Sequence, residues 1–239
     1  MADDTAPSSP QYRLDGAVAV VTLEDGKANA IGHGTLAGLH DALDRAEQEA
    51  TALVLVGGAK AFSAGYDLAI MTESTESMRA LVTAGAHLLM RLYGTALPTV
   101  AACTGHALAG GALTLLACDE RLGPDDRPAK LGLNEVAIGM SLPVFAVELA
   151  RDRLAPTHLT PAALGRIYDP AGAVAAGYLD RLVPGVALVD EAVALGHERA
   201  ALRRGAVGRT KAVLRTRTID HVLATLDDDI AALSGPDAG

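Results

Sequence analysis

Hydrophobic positions recur along the first part of the chain with two different periods. The segment "AVAVVTL" (17–23) follows a shorter apolar segment and the turn Asp15-Gly16, which predicts a hairpin of two strands. In "GHGTLAGLHDALDRAEQEA" (32–50) the leucines have the i, i+3, i+7 spacing of an amphipathic helix. The apolar run "TALVLVGG" (51–58) then predicts a strand that is covered on both faces.

The alternation of helices and strands continues to about position 143. The segment "STESMRALVTAGAHLLMRLYG" (74–94) predicts a helix that begins with a serine or threonine cap. After it come the predicted strand "PTVAACTG", the helix "GALTLLA", and the strands "DERLG" and "AKLGL", and the pattern beyond Pro143 is mostly helical. Strands that alternate with helices in this way predict an α/β fold around a largely buried sheet.

One stretch is apolar enough to be examined as a membrane span. The 27 residues from Leu92 to Cys118 contain no Asp, Glu, Lys or Arg, which passes the length requirement for a transmembrane helix. However, Pro98 and several glycines interrupt the stretch, and its first half has the pattern of a strand. We interpret it as buried core and predict no membrane span.

The composition of the ends and of the C-terminal part predicts the domain organisation. Residues 1–10 are acidic and rich in proline and serine, which predicts a disordered lead-in, and 234–239 predict a flexible tail. Between them we expect a single core domain over 11–185. Residues 186–233 predict a helical region that docks on this core or on a neighbouring subunit.

Charge and cysteine content narrow the possible partners and the compartment. The formal net charge is −9 and basic residues are scattered, which argues against nucleic-acid binding. Cys103 and Cys118 lie in the most apolar segment, as expected of reduced, buried thiols in a cytoplasmic protein. The seven histidines show no HxxxH spacing and there is no CxxC pair, so we expect no metal.

A glycine pair stands at the start of the predicted helix "GALTLLA". The spacing in "GHALAGGA" (105–112) resembles that of a phosphate-binding loop, but the required lysine is absent. Gly110 and Gly111 instead allow close approach of a ligand to the unpaired N–H groups of a helix N-terminus. Such donors can stabilise an oxygen on which negative charge develops. Tight helix–strand packing is the alternative interpretation of the pair.

Four separated segments have the order and spacing of one enzyme family. They are "GKANAIG" (26–32), "KAFSAGYDL" (60–68), "PTVAACTGHALAGGALTLLACDERL" (98–122) and "AKLGLNEVAIGMSLP" (129–143). Together they resemble the crotonase, or enoyl-CoA hydratase/isomerase, family, and are most similar to its actinobacterial-type enoyl-CoA hydratases. The resemblance implies a crotonase fold of repeated ββα units, a CoA thioester as substrate with no separate cofactor, and a homotrimer or dimer of trimers.

The resemblance also implies where the site lies. The N–H groups of Tyr66 and Gly110 would form an oxyanion hole for the thioester. CoA would lie against residues of the first two segments, namely Lys27, Ala28, Ala30, Ala64, Asp67 and Leu68. Ala69 stands where relatives often have a basic residue, so we expect the phosphates to be bound by Lys27, or by a neighbouring subunit's C-terminal helices through Arg203, Arg204 or Lys211.

Hydratases of the family use two glutamates, and this chain carries one of them. Glu135 is present in "LGLNEV", whereas Leu113 occupies the position of the other. Uncharged neighbours from Leu131 to Leu142 surround Glu135, and an apolar setting raises a carboxyl pKa toward neutrality. Neither Glu148 nor His106 is a convincing replacement for the missing carboxylate, because a solvated helix face and a core position are the simpler interpretations.

A single carboxylate favours proton transfer between C2 and C4 of an acyl chain, the reaction of a Δ3,Δ2-enoyl-CoA isomerase. Three alternatives stay open at this point. They are an enoyl-CoA hydratase of fatty-acid β-oxidation, an acyl-CoA-binding protein without catalytic activity, and a thioester hydrolase.

Overall fold

The computed structural model describes residues 10–235 of the chain. The predicted lead-in and tail lie almost entirely outside the described residues. Nine strands are present in this part of the chain, namely β1 Gln11–Asp15, β2 Val18–Thr22, β3 Ala52–Val56, β4 Ala61–Ser63, β5 Thr99–Ala102, β6 His106–Leu108, β7 Glu120–Pro124, β8 Leu131–Gly132 and β9 Arg181–Val183.

Nine α-helices and one 3-10 turn complete the described structure. The helices are α1 His33–Glu49, α2 Leu68–Glu73, α3 Thr75–Gly94, α4 Gly110–Ala117, α5 Val144–Arg153, α6 Pro156–Ala163, α7 Pro170–Ala176, α8 Leu188–Ala200 and α9 Arg204–Ala232, and the 3-10 helix spans Val136–Ile138. No helix among residues 10–235 is long and apolar enough to cross a membrane.

The strands form two sheets, and the chain passes repeatedly from the larger sheet to the smaller one. The large sheet has the order β1-β2-β3-β5-β7-β9, and only the β1–β2 hairpin in it is antiparallel. The small sheet has the order β4-β6-β8 and is parallel. From β3 onward, each successive pair of strands therefore places one strand in each sheet before the next helical segment, whereas β1 and β2 both belong to the large sheet. This confirms the predicted α/β fold of ββα units.

Strand β3 shows why the large sheet is apolar on both faces. Leu53 and Leu55 belong to the main core, which α1 and α3 help to build, whereas Val54 and Val56 belong to a second cluster. Helix α8 contributes Leu188 to that second cluster and so covers the other face. A parallel strand between two layers of helices buries every side chain, as the continuous apolar run predicts.

Two sequence expectations about strands were wrong in part. The predicted strand "PTVAACTG" ends at Ala102, and the chain then enters the small sheet at His106. Between them, a β-carbon at Gly105 would lie 2.6 Å from the carbonyl oxygen of Lys60, so the crossing between sheets needs glycine. In "AKLGL" only two residues pair as a strand, and β9 interrupts the region predicted to be mostly helical.

Helix α9 docks on the core of its own chain through buried charges. Lys211 Nζ donates to Asp119 Oδ2 (2.9 Å) and to the Leu97 carbonyl (2.7 Å), and Arg215 pairs with Asp119 Oδ1 at 2.6 Å. Burial raises the pKa of Asp119, but the two cations outweigh it and the net shift is downward. Lys211 is thus engaged within its own chain, which corrects the expectation that it is available to CoA phosphates.

We expect Asp119→Ala to lower the free energy of unfolding by about 3 kcal/mol or more, because it leaves two buried cations without their shared partner. Asp220→Ala, at an exposed position of α9, is the matched control and should change it by less than about 0.5 kcal/mol. Denaturant unfolding of both variants measures the difference. Equal effects would contradict the assigned role of the ion cluster.

Candidate active site

An apolar cavity of about 140 Å³ lies where α2, α3, α4 and α5 meet the turn around Glu135. Apolar side chains form most of its wall. Its lining residues are Ala64, Tyr66, Leu68, Met71, Val82, Ala109, Leu113, Asn134, Glu135, Ile138, Met140, Pro143, Phe145 and Leu233.

The first of two backbone turns at the cavity is formed by Gly65 and Tyr66. Ile31 N–H donates to the Gly65 carbonyl (2.8 Å), and Asp67 N–H donates to the Ile31 carbonyl (3.1 Å). In such a parallel bridge the N–H of the intervening residue, Tyr66, points away from the bridged strand. Gly65 has φ +95°, a conformation that glycine adopts without steric cost.

The second turn leads into α4. Ala109 precedes the helix with φ 48°, and its own N–H donates to the Gly132 carbonyl at 3.0 Å. Gly110 is the first residue of α4, so its N–H has no partner within the helix. A β-carbon at Gly65 would lie 3.3 Å from the Gly110 nitrogen, which shows how closely the two turns approach. Side by side, these two N–H groups form a geometry suited to an oxyanion.

The Tyr66 side chain fills the space between this donor pair and α3. A β-carbon at Gly110 would lie 3.3 Å from the Tyr66 ring, and one at Gly85 would lie only 2.0 Å from the Tyr66 hydroxyl oxygen. Gly85 is therefore the notch in α3 that admits the ring. The pKa of the Tyr66 hydroxyl is raised above its ordinary value, mainly by burial and to a smaller extent by the charge of Glu135.

We expect Gly85→Ala to displace the Tyr66 ring and destabilise the protein by about 2 kcal/mol, the usual cost of overpacking. Tyr66→Ala should remove most of that penalty in the double variant, which a double-mutant cycle of unfolding free energies measures. Gly34→Ala in α1 is the control, since a β-carbon there meets nothing within 4 Å. Additive effects of the two substitutions would contradict the contact.

Glu135 reaches the cavity from the start of the 3-10 helix. Its carbonyl accepts hydrogen bonds from Ile138 N–H (3.0 Å) and Met140 N–H (3.0 Å), which fixes the turn. The residue is 8% exposed, and its Oε2 has no hydrogen-bond partner among the described residues. Burial raises the pKa of the carboxyl group to about 7, against a smaller lowering by its own backbone N–H.

Leu113 is the cavity residue contributed by the body of α4, and it is 1% exposed. Within the described cavity wall, Glu135 is the only acidic side chain. The structure thus brings together, in one cavity wall, a buried carboxyl group whose pKa is raised toward neutrality and the aliphatic side chain of Leu113. No group of three potential metal-ligating side chains occurs within residues 10–235.

The pKa of Glu135 makes its contribution to stability dependent on pH. A carboxyl pKa that is raised in the folded state means that stability falls as the pH rises from the unfolded pKa to the folded one. We therefore expect the unfolding free energy of the wild type, relative to Glu135→Gln, to fall by about 2 kcal/mol between pH 5 and pH 8. Denaturant unfolding of both proteins checks this, and a difference independent of pH would contradict the raised pKa.

The residues expected at the CoA side divide into two groups. Ala64 and Leu68 line the cavity and are exposed at its mouth. Lys27, Ala28, Ala30 and Asp67 are not among its lining residues, and Asp67 directly precedes Leu68 as the N-cap of α2. Ala64 N–H donates to the Ala28 carbonyl at 2.9 Å, and so the structure brings the segments "GKANAIG" and "KAFSAGYDL" together.

Asn29 is the organising residue of that region, and sequence reasoning missed it. Its side-chain amide donates to the carbonyls of Leu23 (2.7 Å), Ala61 (3.0 Å) and Phe62 (3.2 Å), and its φ is 53°. Ser63 Oγ donates to the Asn29 carbonyl at 2.7 Å. An asparagine in a glycine-containing loop is the available sequence signal, because asparagine tolerates the left-handed region.

A stack of ββα units around an apolar cavity, with two backbone donors beside one buried carboxyl group, defines an enzyme of the crotonase fold. The family model for enoyl-CoA hydratase/isomerase matches residues 13–234, and the chain belongs to that family. A putative enoyl-CoA hydratase of Thermus thermophilus is 37% identical over 209 residues, covering 83% of this chain and 81% of that protein.

Solved structures of relatives carry both activity names. The enoyl-CoA isomerase of Mycobacterium tuberculosis superposes with a TM-score of 0.89 at 33% identity, covering 94% of this chain and 98% of that one. Another structure of the same mycobacterial protein is described as a probable enoyl-CoA hydratase. Human mitochondrial Δ3-Δ2-enoyl-CoA isomerase gives a TM-score of 0.87 at 27% identity, covering 93% of this chain and 89% of that one. The relatives therefore carry both the isomerase and the hydratase name, and the choice between these two activities depends on the geometry of the site.

Proposed function

We propose that this protein is a Δ3,Δ2-enoyl-CoA isomerase with Glu135 as its only acid and base. The observation that carries the proposal is the pairing of one buried carboxyl group, whose pKa is raised to about 7 by burial, with Leu113 in the same cavity wall. A group with a pKa near the working pH is suited both to remove a proton and to return it.

The reaction follows from this arrangement. The thioester oxygen of a 3-enoyl-CoA accepts hydrogen bonds from the N–H groups of Tyr66 and Gly110. The Glu135 carboxylate removes a proton from C2, and the electron pair of that C–H bond moves into a dienolate whose charge rests on the thioester oxygen. The now neutral Glu135 gives the same proton to C4, which leaves the double bond between C2 and C3. Each backbone donor contributes about 3 kcal/mol to stabilisation of the charged oxygen.

Hydration makes a different demand on the cavity. Water must be positioned and deprotonated at C3 while a proton is delivered to C2, which is work for two polar groups. Leu113 offers neither a hydrogen bond nor a proton. The apolar wall around it, including Val82 and Phe145, favours a hydrocarbon chain in that space.

We infer that CoA lies along the outer side of the cavity mouth. Ala64 and Leu68 would contact pantetheine, and Ala28, Ala30 and Asp67 would flank it mainly through backbone atoms. Lys27 is exposed, lies one residue before Ala28 in the same loop, and is the candidate partner for a phosphate.

Product analysis with 3-hexenoyl-CoA and 2-hexenoyl-CoA tests the proposal. The wild type should convert the 3-enoyl to the 2-enoyl compound, and Glu135→Gln should lower that rate about 10³-fold because the proton carrier is lost. The matched control is Glu148→Gln, a substitution on α5 outside the cavity wall, which should leave the rate unchanged.

Each competing function gives a different product. A 3-hydroxyacyl-CoA formed by the wild type would identify a hydratase, and release of free thiol would identify a thioester hydrolase. Acyl-CoA binding without any turnover would identify a non-catalytic binder. Any of these outcomes in place of double-bond migration would overturn the proposal.

The pH dependence of the reaction rate follows from the protonation state in which Glu135 begins the reaction. Proton removal needs the carboxylate, so kcat/KM should rise about tenfold per pH unit below pH 7 and level off above it. Initial rates between pH 5 and pH 9 measure the profile. An inflection near pH 4.5 would mean that the carboxyl group is solvated in the working enzyme.

We also propose that the chain assembles as a homotrimer or a dimer of trimers. Helix α9 leaves Val213 (87% exposed) and Leu214 (68% exposed) uncovered in the single chain, an arrangement that favours contact with another copy. Light scattering on the eluted protein would give the mass, and a monomer would contradict this expectation.

A further inference from the structure

The C-terminal helical region of the same chain contributes to the wall of the cavity. Leu233, which directly follows α9, is the one lining residue that comes from this region of the described chain. The lining residues differ widely in exposure, from 62% at Leu68 to 2% at Val82 and 2% at Leu233. Leu68 thus lies at the exposed part of the wall, and Leu233 belongs to its buried part, which we call the floor.

An arginine from α3 holds this floor in place. Arg79 Nη2 donates to the carbonyls of Ala231 (2.5 Å) and Leu233 (3.1 Å), and its Nε donates to the Leu233 carbonyl (3.3 Å). The last carbonyls of a helix have no partner within the helix and carry partial negative charge, so a guanidinium group there is stabilising. Arg79 thus ties the end of α9 to the helix that also supplies Val82.

A second tie joins the end of α9 to the other wall. Asp229 Oδ2 accepts a hydrogen bond of 2.7 Å from the N–H of Val144, the first residue of α5. Pro143 and Phe145, on either side of Val144, both line the cavity. The end of α9 is therefore fixed to both helices that flank the cavity, and Leu233 cannot move away without breaking one of these ties.

The volume of the cavity limits what can lie against this floor. At about 140 Å³ it is similar to the ~150 Å³ apolar cavity that holds a benzene molecule, which corresponds to about six carbon atoms. The thioester and the start of pantetheine would occupy part of the same volume, so about six carbons is an upper limit for the acyl chain. We propose that Leu233, held by Arg79 and Asp229, is the stop that restricts the substrate to short acyl chains of at most about six carbons. The inference rests on the proposed function for the identity of the ligand as an acyl-CoA.

Binding of saturated acyl-CoA esters tests the stop without any catalytic turnover. Calorimetric titration with butyryl-, hexanoyl-, octanoyl- and decanoyl-CoA should show affinity rising about fourfold per methylene up to hexanoyl-CoA, and falling for octanoyl-CoA. Leu233→Ala should bind octanoyl-CoA about tenfold more tightly than the wild type does. Leu233→Phe should move the optimum the other way, to butyryl-CoA. Leu223→Ala, a substitution of an exposed leucine of α9 outside the cavity wall, is the matched control and should keep the wild-type profile.

Arg79 is a positioning residue in this account, and its substitution should change selectivity rather than chemistry. Arg79→Gln should raise the ratio of octanoyl- to hexanoyl-CoA affinity about threefold, and Arg79→Lys should restore part of the wild-type ratio. The pH at which kcat/KM levels off should stay the same in both variants. A general loss of folding would lower every affinity and leave the ratio unchanged.

An unchanged chain-length profile in both Leu233 variants would overturn the inference, as would the same shift in Leu223→Ala. The result separates this inference from the proposed reaction. A shifted profile in a protein that fails to isomerise would leave the stop intact and refute the isomerase. Absence of binding to every acyl-CoA would refute both.

Discussion

Burial of the Glu135 carboxyl group without a cationic partner destabilises its charged form. The chemistry of the site depends on the backbone hydrogen bonds that keep Glu135 in this buried position. Glu135 lies on a turn in which the N–H groups of Ile138 and Met140 donate hydrogen bonds to the Glu135 backbone carbonyl. The preceding strand is held by reciprocal hydrogen bonds between Leu131 and Tyr168, each 2.9 Å long. These hydrogen bonds fix the backbone on both sides of Glu135, and in this arrangement the residue is buried. Its pKa therefore rises to a value at which it can give and take a proton.

The proposed oxyanion donors, the N–H groups of Tyr66 and Gly110, depend on a different constraint, which is the meeting of two tight turns from distant segments. Gly65 and Ala109 both have positive φ, and only one of them is glycine. A non-glycine residue in this region carries backbone strain, which persists only where the surroundings hold it. Pairing of Ala109 N–H with the Gly132 carbonyl supplies that restraint, and Gly132 is three residues before Glu135 in sequence. The backbone donors and the carboxyl group are thus parts of one hydrogen-bonded framework.

Much of this could be predicted from the sequence, because the signals are local. The apolar run of β3, the glycine pair at α4 and the isolated Glu135 each stand out from their neighbours. The small sheet could not be predicted, because strands of two or three residues are too short to show a period. Asn29, Leu233 and Lys211 act through contacts with residues far away in sequence. Lys211 in particular has the sequence pattern of a solvated helix face, and only its approach to Asp119 shows that it is buried.

Burial in an apolar cavity removes the Glu135 carboxyl group from water, and we therefore expect it to titrate near neutral pH. Difference infrared spectroscopy of the wild type and Glu135→Gln, between pH 4 and pH 9, would isolate the carbonyl stretch of the protonated carboxyl group. The account predicts that this band disappears with a midpoint near pH 7. A midpoint near pH 4.5, the ordinary value for glutamate, would show that the group is solvated and would contradict the account.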